Sequence, residues 1–240
     1  MKLTPPKTEN EVKKRLEYIR VKGYVKTHRR GPTGIGKTLE DLAGIPENNV
    51  PGPDNEFYEL KSGRKNSASM LTLFTKSPLP PKANAALLKK FGYPSAKGNS
   101  RKELHTTVSA TKFNKLKGKT GFCVKVKTGR LSLISAKGEE LGYWDRETLK
   151  KRFETKYPRL LYVKAENRKR GANEEFWFNE AWFLEGFNFK NFVNLVKKDV
   201  IKTDIRIGQY PNGKPHDHGT GFRVMPNKLD SCFEHRKRII

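Results

Sequence analysis

The chain has 240 residues, 35% apolar and 10% aromatic, enough for one sizeable core or for two small lobes. Lys and Arg number 50 against 25 Asp and Glu, a net charge of +25 that attracts a polyanion and makes its binding fall with salt as counterions are released. No apolar stretch approaches the roughly 20 residues of a membrane span, residues 1–6 lack the apolar core of a signal peptide, and Cys123 and Cys232 are too few for a disulfide framework or a Cys-rich zinc site. These exclusions point to a cytoplasmic protein with two buried thiols and no membrane partner.

Thr8 and Glu11 have the spacing of a capping box, and Val12, Leu16 and Ile19 extend it as a helical stripe ending at Gly23. A basic, glycine-rich stretch over 28–36 leads into a short helix carrying Leu39, Glu40 and Leu42, which Gly44 and Pro46 stop. After the turn-rich 46–55, residues 57–61 and 70–75 read as strands, and the polar 62–69 between them suggests a hairpin. Pro78, Pro80 and Pro81 break the chain before a helix over 83–91 closed by Gly92. A surface loop over 94–103 precedes a strand over 104–109.

Within 121–136, Phe122, Val124 and Val126 share one face, Thr128-Gly129 turns, and Leu131 and Leu133 continue on the return strand. A helix near 145–157, a strand over 160–165 and an aromatic strand near 175–183 follow. Phe189, Phe192, Val193 and Val196 mark another helix, and late strands over 203–207 and 220–224 flank a loop rich in Gly, Pro and His. Intermixed strands and helices give an α/β or α+β class with a mixed sheet, without internal repeats.

Residues 31–38 read G-P-T-G-I-G-K-T and fit a phosphate-binding loop. That loop needs a buried strand feeding it and a long helix leaving it. Residues 25–30 are too charged for a central strand, the following helix is cut after about two turns, and no apolar run ends in a metal-holding Asp. No nucleotide cofactor is expected. The glycines and basic residues there suit a grip on a DNA phosphate.

The chemistry concentrates further on. Pro53-Asp54 stands five residues before Glu59-Leu60-Lys61. Side chains alternate on a strand, so Glu59 and Lys61 share one face while Leu60 enters the core. A turn can fold Asp54 beside Glu59, and two carboxylates there offer hard oxygen ligands to Mg²⁺. A metal so held polarises a scissile phosphate and acidifies a bound water, while Lys61 orients that water and offsets charge on phosphorus. Glu40 is a further acidic group that completes the site. Alternating charge on a strand is otherwise the mark of a solvated face.

These residues resemble a known family. Thr33-Gly34-Ile35-Gly36-Lys37-Thr38-Leu39-Glu40-Asp41-Leu42, Pro53-Asp54, Glu59-Leu60-Lys61 and Leu71-Thr72-Leu73-Phe74-Thr75-Lys76-Ser77-Pro78 are similar to the MvaI/BcnI group of restriction endonucleases, related to the mismatch-repair nickase MutH within the PD-(D/E)xK nuclease superfamily. Asp204-Ile205-Arg206-Ile207-Gly208 and His216-Asp217-His218-Gly219-Thr220 with Arg223 resemble its C-terminal recognition elements. The resemblance implies a restriction-endonuclease-like α/β fold, a mixed β-sheet core flanked by helices, with catalytic and recognition lobes around a DNA cleft. It implies one endonuclease domain over 1–240, with catalytic motifs near 30–110 and recognition elements near 200–225. Glu40, Asp54, Glu59 and Lys61 match the family's active-site residues. It further implies cleavage of double-stranded DNA at a CC-N-GG site by a monomer, closer to the MvaI branch, where the central pair is A·T. Residues 112–200 match poorly.

The late strands agree chemically. Asp204 and Arg206 share a face while Ile205 and Ile207 face the core. Arg206, Arg223, His216 and His218 can donate to guanine, and Asp204 and Asp217 can accept from cytosine. Each can equally contact phosphate, and His216 with His218 can chelate a metal only with a third ligand nearby. The 235–238 run reads as a solvated basic face. Two rivals share much of this pattern: a MutH-like strand-nicking repair enzyme, and a non-catalytic basic nucleic-acid-binding protein.

Overall fold

The computed structural model of the chain describes residues 4–46, 57–96, 101–157 and 159–240. Two units divide it, one from Met1–Ser69, Glu154–Asn188 and Leu229–Ile240, the other from Met70–Phe153 and Phe189–Lys228. The stretch expected to hold the catalytic motifs, 30–110, is thereby shared between both units.

The first unit begins as its spacing predicts. The helix Glu9–Val21 opens on a complete capping box, in which the Glu11 amide donates to Thr8 Oγ1 and the Thr8 amide donates back to the Glu11 carboxylate, each at 3.2 Å. Val12, Leu16 and Ile19 are its buried stripe. The helix Gly34–Ala43 buries Ile35, Leu39 and Ala43 and stops where Gly44 takes a left-handed conformation. The stripes pack with Leu60, Leu161, Val163, Phe176, Phe178 and Phe183 in one core. These come from a sheet in which Leu160–Arg170 lies between Asn173–Glu185, antiparallel, and Glu59–Arg64, parallel. Val25–Lys26 and His235–Arg238 both pair with Asn173–Glu185. The basic 235–238 run is therefore an exposed strand.

The phosphate-loop pattern folds otherwise. Its helix starts at Gly34, inside the pattern, and the strand before it has two residues. Thr38 is fully buried, its hydroxyl donating to the Gly34 carbonyl at 2.7 Å and accepting from the His28 amide at 2.9 Å. Lys37 pairs with Asp41 at 2.6 Å. These groups hold the helix entry.

The expected hairpin of 57–61 with 70–75 does not form. Glu59–Arg64 pairs in parallel with Leu160–Arg170, whereas Leu71–Thr75 pairs antiparallel with Gly221–Val224 in the other unit's sheet. Local alternation identified both strands but carried no information about distant partners.

In the second unit the strands run Leu71–Thr75, Gly221–Val224, Ile201–Gln209, Lys102–Val108 and Tyr93–Pro94, all antiparallel, with Pro215–Asp217 folded back onto Ile201–Gln209. A meander of Phe122–Lys127, Arg130–Ser135 and Glu140–Asp145 adds a second sheet. Its third strand lay outside the sequence expectation, and the next helix starts only at Arg146, where the Asp145 carboxylate accepts the Thr148 amide at 2.7 Å. Phe74, Phe153, Phe192 and Phe222 pack with ring centroids 5.1–6.0 Å apart. Trp144 closes this cluster and donates its indole N–H to the Lys76 carbonyl at 2.8 Å. The helices Ala83–Phe91 and Phe189–Lys197 fall where periodicity puts them.

Both cysteine thiols are buried, and burial pushes that of Cys232 up to about 12. No helix among the described residues is long and apolar enough to cross a membrane.

Gly63 lies on the same strand as Glu59 and Lys61, and a Cβ there would meet the Tyr162 hydroxyl at 2.4 Å. Gly63→Ala should cost about 1–3 kcal/mol in urea unfolding by overpacking. Tyr162→Phe in the same chain should recover most of that loss, because the hydroxyl is the atom struck. An unrecovered double variant would place the strain elsewhere.

Candidate active site

The parallel register sets Leu160 beside Glu59 and Tyr162 beside Lys61, and the Glu59 amide donates to the Arg159 carbonyl at 2.9 Å. Tyr58 and Leu60 turn into the core, so Glu59 and Lys61 leave from the opposite side, as alternation requires. Contrary to a solvated face, the Glu59 side chain is only 4% exposed. A carboxylate removed from water needs charged partners. Lys61 Nζ lies 2.8 Å from Oε1, and Lys156 Nζ lies 3.1 Å from Oε2. Lys156 was not foreseen, because it stands 97 residues away and no spacing signal joins it to Glu59.

Asp54, expected beside Glu59, lies outside the described residues. Glu40 extends over Gly36, one turn earlier in its helix; a Cβ at Gly36 would lie 3.9 Å from Glu40 Oε1 and 3.8 Å from Ser62 Oγ. Ser62 follows Lys61 in the chain, so Glu40 approaches the strand that carries Glu59 and Lys61. Among the described residues no group of three or more His, Cys, Asp or Glu is placed to hold a metal ion.

The second unit gathers Asp204, Arg206 and Arg223 on one polar face of its sheet. Asp204 stands opposite Thr107 and Arg206 opposite His105, and Arg223 lies opposite Lys202. Directly opposed antiparallel residues share a face. On the reverse face Ile205, Ile207, Leu104, Val108 and Phe222 fill the core.

Asp204 is completely buried. Its carboxylate accepts from Arg206 Nε at 2.5 Å and Nη2 at 3.3 Å and from the Thr107 hydroxyl at 2.9 Å. Arg223 Nε approaches Oδ2 to 2.8 Å without hydrogen-bond alignment, so this contact is mainly electrostatic. Burial lowers the Arg223 pKa from its ordinary value, and Asp204 opposes that. The side chains of Arg206 and Arg223 remain 36% and 22% exposed. Two part-exposed arginines thus surround a sealed carboxylate, Arg206 the more exposed of them. The expected acceptance of a cytosine amino group by Asp204 would require displacing one of these donors.

Asp217 is similarly occupied. Oδ1 accepts the amides of Gly219 and Thr220 at 2.8 and 2.6 Å, and Oδ2 accepts the Ser77 hydroxyl at 2.6 Å and Asn84 Nδ2 at 2.7 Å. It ties the loop after Leu71–Thr75 and the helix Ala83–Phe91 to the turn that carries the histidines. Burial alone would raise its pKa, but these hydrogen bonds outweigh burial and hold it below the ordinary carboxylate value.

His216 and His218 meet edge to face at 4.4 Å between centroids, with Tyr210 against His216 at 4.4 Å and His105 5.9 Å from His218. Gly208 makes room for this, because a Cβ there would lie 2.5 Å from His218 Nε2. His105 and Tyr210 join the face only through strand pairing, which no local motif announces.

The sequence model of the MvaI/BcnI restriction endonuclease family matches residues 13–233. The solved structure described as a restriction endonuclease MvaI–cognate DNA substrate complex is 30% identical, with a TM-score of 0.85 over 97% of this chain and 98% of that one. Restriction endonuclease MvaI in the absence of DNA is also 30% identical, with a TM-score of 0.57 over 96% and 97% of the two chains. No curated protein sequence matches.

Asp217→Asn should lower stability at pH 7 by about 1–3 kcal/mol, because an amide replaces an acceptor that serves four donors. A carboxylate with a depressed folded pKa contributes stability above its unfolded pKa, near 3.9, and loses it as pH falls through the folded value. The gap between variant and wild type in denaturant midpoints should therefore close below about pH 4. A gap that persists in acid would mean Asp217 acts through shape alone.

Proposed function

Because the chain belongs to the MvaI/BcnI restriction endonuclease family, whose members are type II site-specific DNA nucleases, we propose that it cuts both strands of duplex DNA with Mg²⁺, as a monomer, at a CC-N-GG site with an A·T central pair. The observation that carries the reading is the buried Glu59 carboxylate flanked by Lys61. The family generally uses divalent metal ions. The donor here suits a hard one: a carboxylate oxygen pair withdrawn from water and held between two ammonium groups. Glu59, with Asp54, would hold Mg²⁺, which when bound supplies Lewis-acid polarisation of the phosphate and a more acidic water.

The chain's own residues do the positioning. Lys61, held at 2.8 Å by Glu59, orients the water that attacks phosphorus and offsets charge on the pentacoordinate phosphorus. Glu40 completes the acidic side of the site from its helix. Arg206 and Arg223, held beside Asp204, donate to the N7 and O6 acceptors of guanine. His216 and His218, set by Asp217 and Gly208, add donors to base or phosphate. The net charge of +25 draws in the duplex and makes binding salt-dependent.

Lys61→Ala should slow plasmid linearisation in Mg²⁺ by about 10²- to 10³-fold, with salt-sensitive duplex binding retained. Full-rate cutting by this variant would remove Lys61 from the mechanism. With wild-type protein and no partner, linear product is expected, and sequencing of fragment ends reads the site. Nicked circles as the end product would instead favour the strand-nicking alternative.

A further inference from the structure

Glu59 has two ammonium partners where charge neutralisation needs one. Lys61 occupies Oε1 at 2.8 Å, and Lys156, its side chain 15% exposed, occupies Oε2 at 3.1 Å. Lys156 is carried there by the backbone: the Glu59 amide donates to the Arg159 carbonyl and Leu160 pairs with Glu59, so the segment after helix Arg146–Glu154 runs alongside the carboxylate. Withdrawing a second ammonium from water beside a carboxylate already matched by Lys61 is unfavourable. It also places surplus positive charge where a divalent cation has to bind. Both costs are explained if the second contact is made to be exchanged. A lysine suits this, being a point charge on a flexible four-carbon stem that can withdraw without rearranging the backbone.

We propose that Lys156 is a positioning residue that fills Glu59 Oε2 in the metal-free protein, keeps the carboxylate compensated and in place, and yields that oxygen when a divalent cation binds. It thereby weakens metal affinity in exchange for a preformed site. The proposal rests on the reading of Glu59 as a metal ligand.

The test is Mn²⁺ binding to the full chain without DNA, by calorimetry and by paramagnetic resonance of unbound Mn²⁺, for wild type, Lys156→Met and Lys13→Met, an exposed lysine of the first helix. Lys156→Met should bind Mn²⁺ about tenfold more tightly, melt lower than wild type without metal, and gain more in Tm than wild type at saturating Mn²⁺. Lys13→Met should match wild type in all three. A folded Lys156→Met with Mn²⁺ affinity equal to or below wild type would overturn the proposal and leave Lys156 a structural partner only. If Lys156→Met does not fold, Lys156→Gln, which keeps a hydrogen bond without the charge, carries the same expectation. Absence of Mn²⁺ binding in wild type, or binding unchanged by Glu59→Gln, would instead bring down the assignment of Glu59 as ligand, and the role of Lys156 with it.

Discussion

The candidate chemistry depends on one constraint: a carboxylate held out of water beside two ammonium groups. Glu59 is placed there by parallel pairing of Glu59–Arg64 with Leu160–Arg170 and by Leu60 anchoring in the core on the opposite side. Removing a charge from water is costly unless partners replace the hydration. The segment carrying Lys61 and the segment carrying Lys156 must therefore both be in place before the site exists. This couples the candidate site to the fold of its unit. It also explains why an alternating Glu-x-Lys, which elsewhere marks a solvated surface, here marks an interior.

The second unit repeats the device for a different purpose. Asp204 and Asp217 are carboxylates surrounded by protein donors, and each holds basic or donor groups in place: two guanidinium groups in one case, a histidine-bearing turn in the other. In a chain with twice as many basic as acidic residues, the acidic side chains serve largely to orient basic ones. Elsewhere Glu174 grips Arg64 at 2.6 and 2.7 Å, and Arg159 is shared between Glu9 and Glu185. An oriented guanidinium loses less conformational freedom on contacting a ligand than a freely rotating one, which favours selective contact over diffuse attraction.

The glycines of the motifs have particular tasks. Gly63 leaves space for the Tyr162 hydroxyl, and Gly208 for the His218 ring. Gly34 and Gly36, which make residues 31–38 look like a nucleotide loop, serve a helix entry: a Cβ at Gly34 would lie 2.3 Å from the Arg29 carbonyl, and Gly36 leaves its surface to Glu40 and Ser62. A short pattern states which backbone freedoms are needed without stating what uses them.

Everything set by local repetition was legible in the chain itself. The capping box at Thr8, the stripes of the helices at 9–21, 83–91 and 189–197, the alternation that sends Leu60 to one side of its strand and Glu59 and Lys61 to the other, and the shared face of Asp204 and Arg206 follow from periods of 3.6 and 2. The ordered motifs also carried the family. What needed tertiary structure was every choice of distant partner: that 59–64 pairs with 160–170 and not with 71–75, that Lys156 reaches Glu59, that His105 joins His218, and that Asp204 is sealed under two arginines. Strand pairing and ion pairing across many tens of residues are decided by which surfaces must leave water together, and that competition has no period for a sequence to display.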